Sequence, residues 1–190
     1  MVDIQDEGGN LITPSEALND YREIYNLKDM RIKPNNTDEI IQMTAQNGMI
    51  DLPNSILDED SIKLCTTIPK DKASASESRY LWVIRENCAP VAIENCEWGK
   101  GLKSEIIKHS NLTGGKPAYS GGELWFIARD KIAVNGNSGR YGPESEEELD
   151  AIVNALRRSG YHVASMGFDI DNPSVPNSVF PGNPTWQNPI

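Results

Sequence analysis

The alternation of apolar and polar positions is strongest in the middle of the chain. Residues 79–85 (RYLWVIR) and 89–94 (APVAIE) read as two strands joined through Glu86-Asn87-Cys88, because aromatic and β-branched residues concentrate between turn formers. Residues 123–129 (ELWFIAR) and 131–135 (KIAVN) repeat the pattern with only Asp130 between them, which predicts a hairpin. After it the period changes from two to that of a helix. Ser145 is a suitable N-cap, Glu148 completes a capping box, and Leu149, Ile152, Val153 and Leu156 form one apolar stripe that Gly160 ends. Residues 161–168 (YHVASMGF) then predict a strand returning to the sheet. The expected fold class is α+β, an antiparallel sheet with a helix packed on one face, over residues 79–169.

Upstream the pattern is weaker. Thr13-Pro14-Ser15-Glu16 has the form of a capping box, and Ala17, Leu18, Tyr21, Ile24, Tyr25 and Leu27 continue it as an amphipathic helix to about Leu27. Residues 39–45 fit a short helix capped by Thr37 or a strand; periodicity does not decide between them. Residues 61–68 alternate as a strand with Ile62, Leu64, Thr66 and Ile68 on one face. Residues 70–78 (KDKASASES) form a polar linker between residues 1–69, an acidic N-terminal helical lobe, and the main domain. Residues 99–109 predict a loop and a short helix over 102–108 that delivers His109 at its C-terminal end, where the helix dipole favours an imidazolium. Residues 170–190 contain five of the twelve prolines and predict an extended tail, packed on the surface or disordered.

Charge changes this picture mainly by its placement. The net charge is −10, and residues 1–60 hold thirteen acids against four bases, whereas residues 61–190 hold fifteen against fourteen. A nucleic-acid partner is therefore not expected, while a small anion or a protein partner is. No apolar run approaches the roughly 18 residues of a spanning helix, and the N-terminus lacks a signal-peptide pattern. A soluble protein is expected, cytoplasmic or secreted by a route independent of a signal peptide, with no membrane partner. Cys65, Cys88 and Cys96 are an odd number without CxxC spacing and read as reduced thiols, with a Cys88–Cys96 bridge the less favoured alternative. Neither histidine sits at ligand spacing from a cysteine pair, so no metal is assigned, and any cofactor is left unknown.

The chemistry-bearing residues gather in residues 109–142, which also contain seven of the fifteen glycines. Such density predicts several tight turns, among them a Gly121-Gly122-Glu123 turn and a Ser138-Gly139-Arg140-Tyr141 turn in reach of it. His109 and Glu123 are the groups most suited to proton transfer. Lys116, Ser138, Arg140 and Tyr141 are the expected substrate contacts, with Arg140 and the amides of the Ser138 turn holding an anion and Tyr141 stacking on a ring. The competing reading is structural: His109 caps a helix end, Glu123 pairs with Lys116 or Arg140, and Tyr141 belongs to the core. No Ser-His-Asp order, P-loop, dinucleotide fingerprint or HExxH is present.

The pattern His109-x-x-Leu112-x-Gly114-Gly115, then Gly121-Gly122-Glu123-Leu124, then Asn135-x-x-Ser138-Gly139-Arg140-Tyr141-x-Pro143 resembles uncharacterised C-terminal domains of bacterial polymorphic toxins and secreted effectors. It covers residues 79–169. The resemblance implies a bacterial toxin or effector context and no defined activity. That family often carries histidine where Arg140 stands, which bears on any role that needs a guanidinium. The leading expectation is a toxin- or effector-type domain, catalytic on an anionic or nucleotide-like substrate. The alternative is a non-catalytic acidic binding module, an inhibitor or immunity protein for a basic partner.

Overall fold

The computed structural model describes residues 16–52, 59–73 and 75–190. Six strands form one sheet: β1 (Ile50–Asp51), β2 (Tyr80–Ile84), β3 (Pro90–Ile93), β4 (Ser120–Ala128), β5 (Lys131–Asn135) and β6 (His162–Ser165). Their order is β1-β3-β2-β4-β5-β6. Every neighbouring pair is antiparallel except β5 and β6, which are parallel. A parallel pair needs a long connection, and here it contains helix α3 (Glu146–Arg158). The fold is α+β. Two shorter helices, α1 (Asn19–Ile24) and α2 (His109–Thr113), complete it.

Strand alternation sends side chains to both faces, and both are covered. On one face Tyr80, Trp82, Leu124, Phe126, Ile132 and Val163 pack under Ile152, Val153 and Leu156 of α3. The other face carries two apolar clusters. Leu81, Val83 and Ala92 meet Leu112 of α2 and Tyr141, while Trp125, Ala133 and Ala164 meet Met166 and Phe180. With period-two alternation, Gly121, Glu123 and Asn135 fall on this same face. Glu123 and Asn135 stand opposite each other in the β4–β5 ladder.

Ser145 caps α3 as the sequence predicts, its Oγ accepting the Glu148 amide at 3.2 Å, but the expected capping box is not completed by the Glu148 side chain. Glu148 is engaged elsewhere. Its Oε1 accepts from Tyr21 Oη at 2.7 Å and Lys28 Nζ at 2.6 Å, and its Oε2 accepts the Glu144 amide at 2.9 Å. Buried at 2% exposure, it ties α1 and the following segment to α3.

Those contacts bear on residues 16–52, which the sequence places in a separate acidic lobe. They are built into the main sheet: β1 pairs with β3, Lys28 bridges Ala118, and the Arg31 amide donates to the Arg140 carbonyl. The expected helix to Leu27 is a 3₁₀ turn, Glu16–Leu18, followed by α1, which stops at Ile24; its Thr13 cap lies outside the described residues. Residues 37–40 form a 3₁₀ turn capped by the Asn36 side chain rather than Thr37. Residues 61–68 are not a strand, since only Leu64 bridges Phe126 and the buried side chains are Ile62 and Cys65. The linker region is not free either: the Ala75 carbonyl accepts the Trp125 indole N–H at 2.8 Å. Residues 102–108 do not form a helix, because Glu105 takes a left-handed φ of 58°. The tail packs on the surface, with Gln187 bonded to both backbone groups of Val163 and Phe180 seated in the core cluster around Trp125.

Candidate functional site

The Gly121-Gly122-Glu123 turn expected from the glycines is instead part of β4, and neither glycine has a positive φ. Close approach explains them. A Cβ on Gly122 would lie 2.1 Å from the Asn135 carbonyl oxygen and 2.7 Å from the Trp82 ring. A Cβ on Gly121 would lie 3.3 Å from the His109 ring and 3.1 Å from the Trp82 carbonyl. Trp82 on one face and His109 on the other thus close over a strand with no side chains between them.

His109 is the first residue of α2, not the end of a preceding helix. The positive end of a helix opposes protonation. Its Nε2 lies 2.9 Å from the Gly122 carbonyl and donates to it in the neutral tautomer. Burial pushes the imidazole down to about 4; the Gly122 carbonyl offsets part of this, and the positive charges of Arg140, Lys108 and Arg79 add to the fall. At neutral pH this is an uncharged ring pinned to the backbone.

Glu123 lies in a different hydrogen-bonded group. Its Oε2 accepts from Asn135 Nδ2 at 2.8 Å, and Oε1 lies 3.6 Å from Arg79 Nε. Arg79 donates through Nε (2.9 Å) and Nη2 to Glu94 Oε2. Burial raises the Glu123 carboxyl; Asn135, Arg79 and Asn137 counter it, and the charge of Glu94 adds to the rise. The side chains of Arg79, Glu94 and Glu123 keep 19%, 11% and 10% of their surface open, so the group reaches solvent at a narrow edge. Asn135 holds it together. Its Oδ1 accepts the amides of Glu123 and Asn137 at 3.0 and 2.9 Å, and its second N–H reaches the Ser178 carbonyl at 3.3 Å.

The four expected substrate contacts do not join Glu123. Arg140 pairs with Glu39 and donates to the Ile32 carbonyl at 2.8 Å, both carboxylate and guanidinium being buried. Ser138 Oγ accepts the amides of Arg140 and Tyr141, so its hydroxyl closes the turn on itself. Tyr141 is fully buried, donates to the Lys116 carbonyl at 2.9 Å and lies 3.0 Å from Thr113 Oγ1. Lys116 is exposed. The expectation that Glu123 pairs with Lys116 or Arg140 gives way to Arg79. Sequence reasoning assigns no site role to Arg79 or Glu94, and names Asn135 only as a residue of the resemblance pattern. The available signal was pairing register: Leu81 faces Glu123 and Asn135 faces Glu123, which sets Arg79 two residues from the cross-strand neighbour.

The three thiols are free, and burial raises that of Cys88. Among the described residues no group of three or more His, Cys, Asp or Glu side chains is arranged to hold a metal ion, and no helix is long and apolar enough to cross a membrane. No protein family, curated protein or solved structure matches this chain. The chemical capacity of the site is that of one carboxylate with an elevated proton affinity, held by an amide and bordered by a guanidinium, a combination suited to proton transfer.

Proposed function

We propose that the chain is a toxin- or effector-type domain whose working group is Glu123, acting as a single general acid–base. The observation that carries this reading is the Glu123 environment: a carboxyl raised by burial, with Oε2 held by Asn135 and Oε1 left beside Arg79. His109, neutral and bonded to Gly122, is a structural group in this scheme. An anionic or nucleotide-like substrate takes its charge contact from Arg79, whose side chain keeps 19% of its surface open, whereas Arg140 is buried against Glu39.

The test is growth of a bacterial host expressing the whole chain. Arrest is expected, relieved by Glu123→Gln in protein that is at least as stable as the wild type, with Lys116→Ala still toxic. Harmless expression together with protection against a toxin encoded beside it would overturn the enzymatic reading in favour of an inhibitor. That outcome is the binding-module alternative, which the internal engagement of His109, Arg140 and Tyr141 favours.

A further inference from the structure

The C-terminal tail runs along the edge of the Glu123 group. Asn135 is fully buried and uses all of its amide: two acceptor positions for the Glu123 and Asn137 N–H groups, one hydrogen for Glu123 Oε2, and one shared between the Ser178 carbonyl and Met166 Sδ at 3.6 Å. Two acceptors on one nitrogen are neighbours, so the backbone of residue 178 lies beside the carboxylate. Two residues on, Phe180 inserts among Trp125, Ala133 and Met166. Trp125 and Ala133 are the next residues on the same face of β4 and β5 after Glu123 and Asn135.

The tail is fastened on both sides of this crossing. Upstream, Asn177 donates its amide to the Gly167 carbonyl and its side chain to the Met166 and Phe168 carbonyls. Downstream, Gln187 closes the free edge of β6 through Val163, and Lys131 sits 4.1 Å above the Trp186 ring. Between the anchors, Pro181, Gly182 and Asn183 are exposed. The crossing itself is held by the Ser178 carbonyl and the Phe180 ring. Short segments with so few contacts open at a fraction of the global unfolding free energy.

We infer that residues 178–182 are a removable cover over Glu123, latched by the Asn135 amide and the Phe180 ring, so that release of the tail gives substrate its access to the carboxylate. This rests on the reading of Glu123 as the working group. Release withdraws one acceptor from Asn135 and admits water to the Arg79, Glu94 and Glu123 side chains, the charged groups that face one another there.

The experiment uses the full chain with a specific protease site placed between Gly182 and Asn183, compared before and after cleavage, and a Phe180→Ser variant in the uncut chain. Carbodiimide coupling of glycine ethyl ester to Glu123 is followed by mass spectrometry, and hydrogen exchange is followed over residues 175–187. Cleavage and Phe180→Ser are each expected to raise exchange of the Asn177 amide, the hydrogen-bonded amide next to the crossing, and to speed labelling of Glu123 about tenfold, as expected for local opening without global unfolding. Labelling that stays within about twofold of the uncut wild type while the Asn177 amide exchanges freely would overturn the cover. So would unchanged exchange after the cut. Loss of toxicity in Glu123→Gln is read separately, so a failed cover leaves the acid–base assignment standing.

Discussion

His109 gives its Nε2 hydrogen to the carbonyl of Gly122, 2.9 Å away and thirteen residues along the chain. The bond fastens the start of α2 to β4, and burial together with three nearby positive charges keeps the ring neutral. The folded-state value is lowered from 6.5 to about 4. The unfolded chain therefore binds a proton that the folded chain refuses, and stability present above pH 6.5 is lost as the pH falls toward 4. The difference corresponds to about 3 kcal/mol. Urea midpoints measured between pH 7 and pH 4.5 should fall more steeply for the wild type than for His109→Gln, which keeps a donor but does not titrate. Parallel profiles would refute the assignment.

Arg140 and Glu39 make a second prediction, about a pair rather than a proton. Both side chains are buried, and the guanidinium also satisfies the Ile32 carbonyl. Removing one partner strands a charge in the interior, so Arg140→Ala and Glu39→Ala should each cost about 3 kcal/mol or more. Replacing both with apolar residues of similar size, Arg140→Met with Glu39→Leu, should recover much of that loss. Thermal unfolding of the two single variants and the double variant checks it. Additive losses would mean that the pair is not coupled.

The strands and α3 were legible because their signals are local: aromatic runs, a Ser145 cap and a stripe at helical spacing all agree with the final packing. The segment before β2 was not, because its burial is decided by distant partners. Lys28 and Tyr21 are fixed by Glu148, more than a hundred residues away, and nothing near them in sequence reports it. The site was half legible. Glu123 was visible as a carboxylate beside glycines, but those glycines mark close packing in a strand, not a turn. Glycine density reports a need for space without saying what fills it. Here the occupants are Trp82, His109 and the backbone of β5.

That distinction gives a paired test. A Cβ on Gly122 would fall 2.1 Å from the Asn135 carbonyl oxygen, an atom of a paired strand that cannot move alone. Gly122→Ala should therefore destabilise by about 3 kcal/mol or more, beyond ordinary overpacking. Nothing lies within 4 Å of a Cβ on Gly101, whose φ is not positive, so Gly101→Ala should be neutral or slightly stabilising. Denaturant midpoints with unchanged slopes would establish both. A tolerated Gly122→Ala would show that β4 and β5 separate more readily than their ladder suggests.

Glu123 carries the last prediction, because its carboxyl is raised above the ordinary value chiefly by burial. The sign follows from proton uptake: the folded chain holds this proton more tightly than the unfolded chain, so the group favours folding at low pH. That contribution is lost as the pH rises through the folded-state value. Once ionised, the carboxylate is a strain on the fold, relieved only partly by Asn135 and Arg79. Glu123→Gln removes the charge, retains an acceptor for the Asn135 amide, and should raise the melting temperature at pH 7 relative to the wild type. The gain should shrink as the pH falls and the wild-type carboxyl takes up its proton. A variant that melts lower at pH 7, with the deficit growing at higher pH, would mean that the ionised carboxylate stabilises the fold, and Glu123 would then be a structural partner of Arg79 like Glu94.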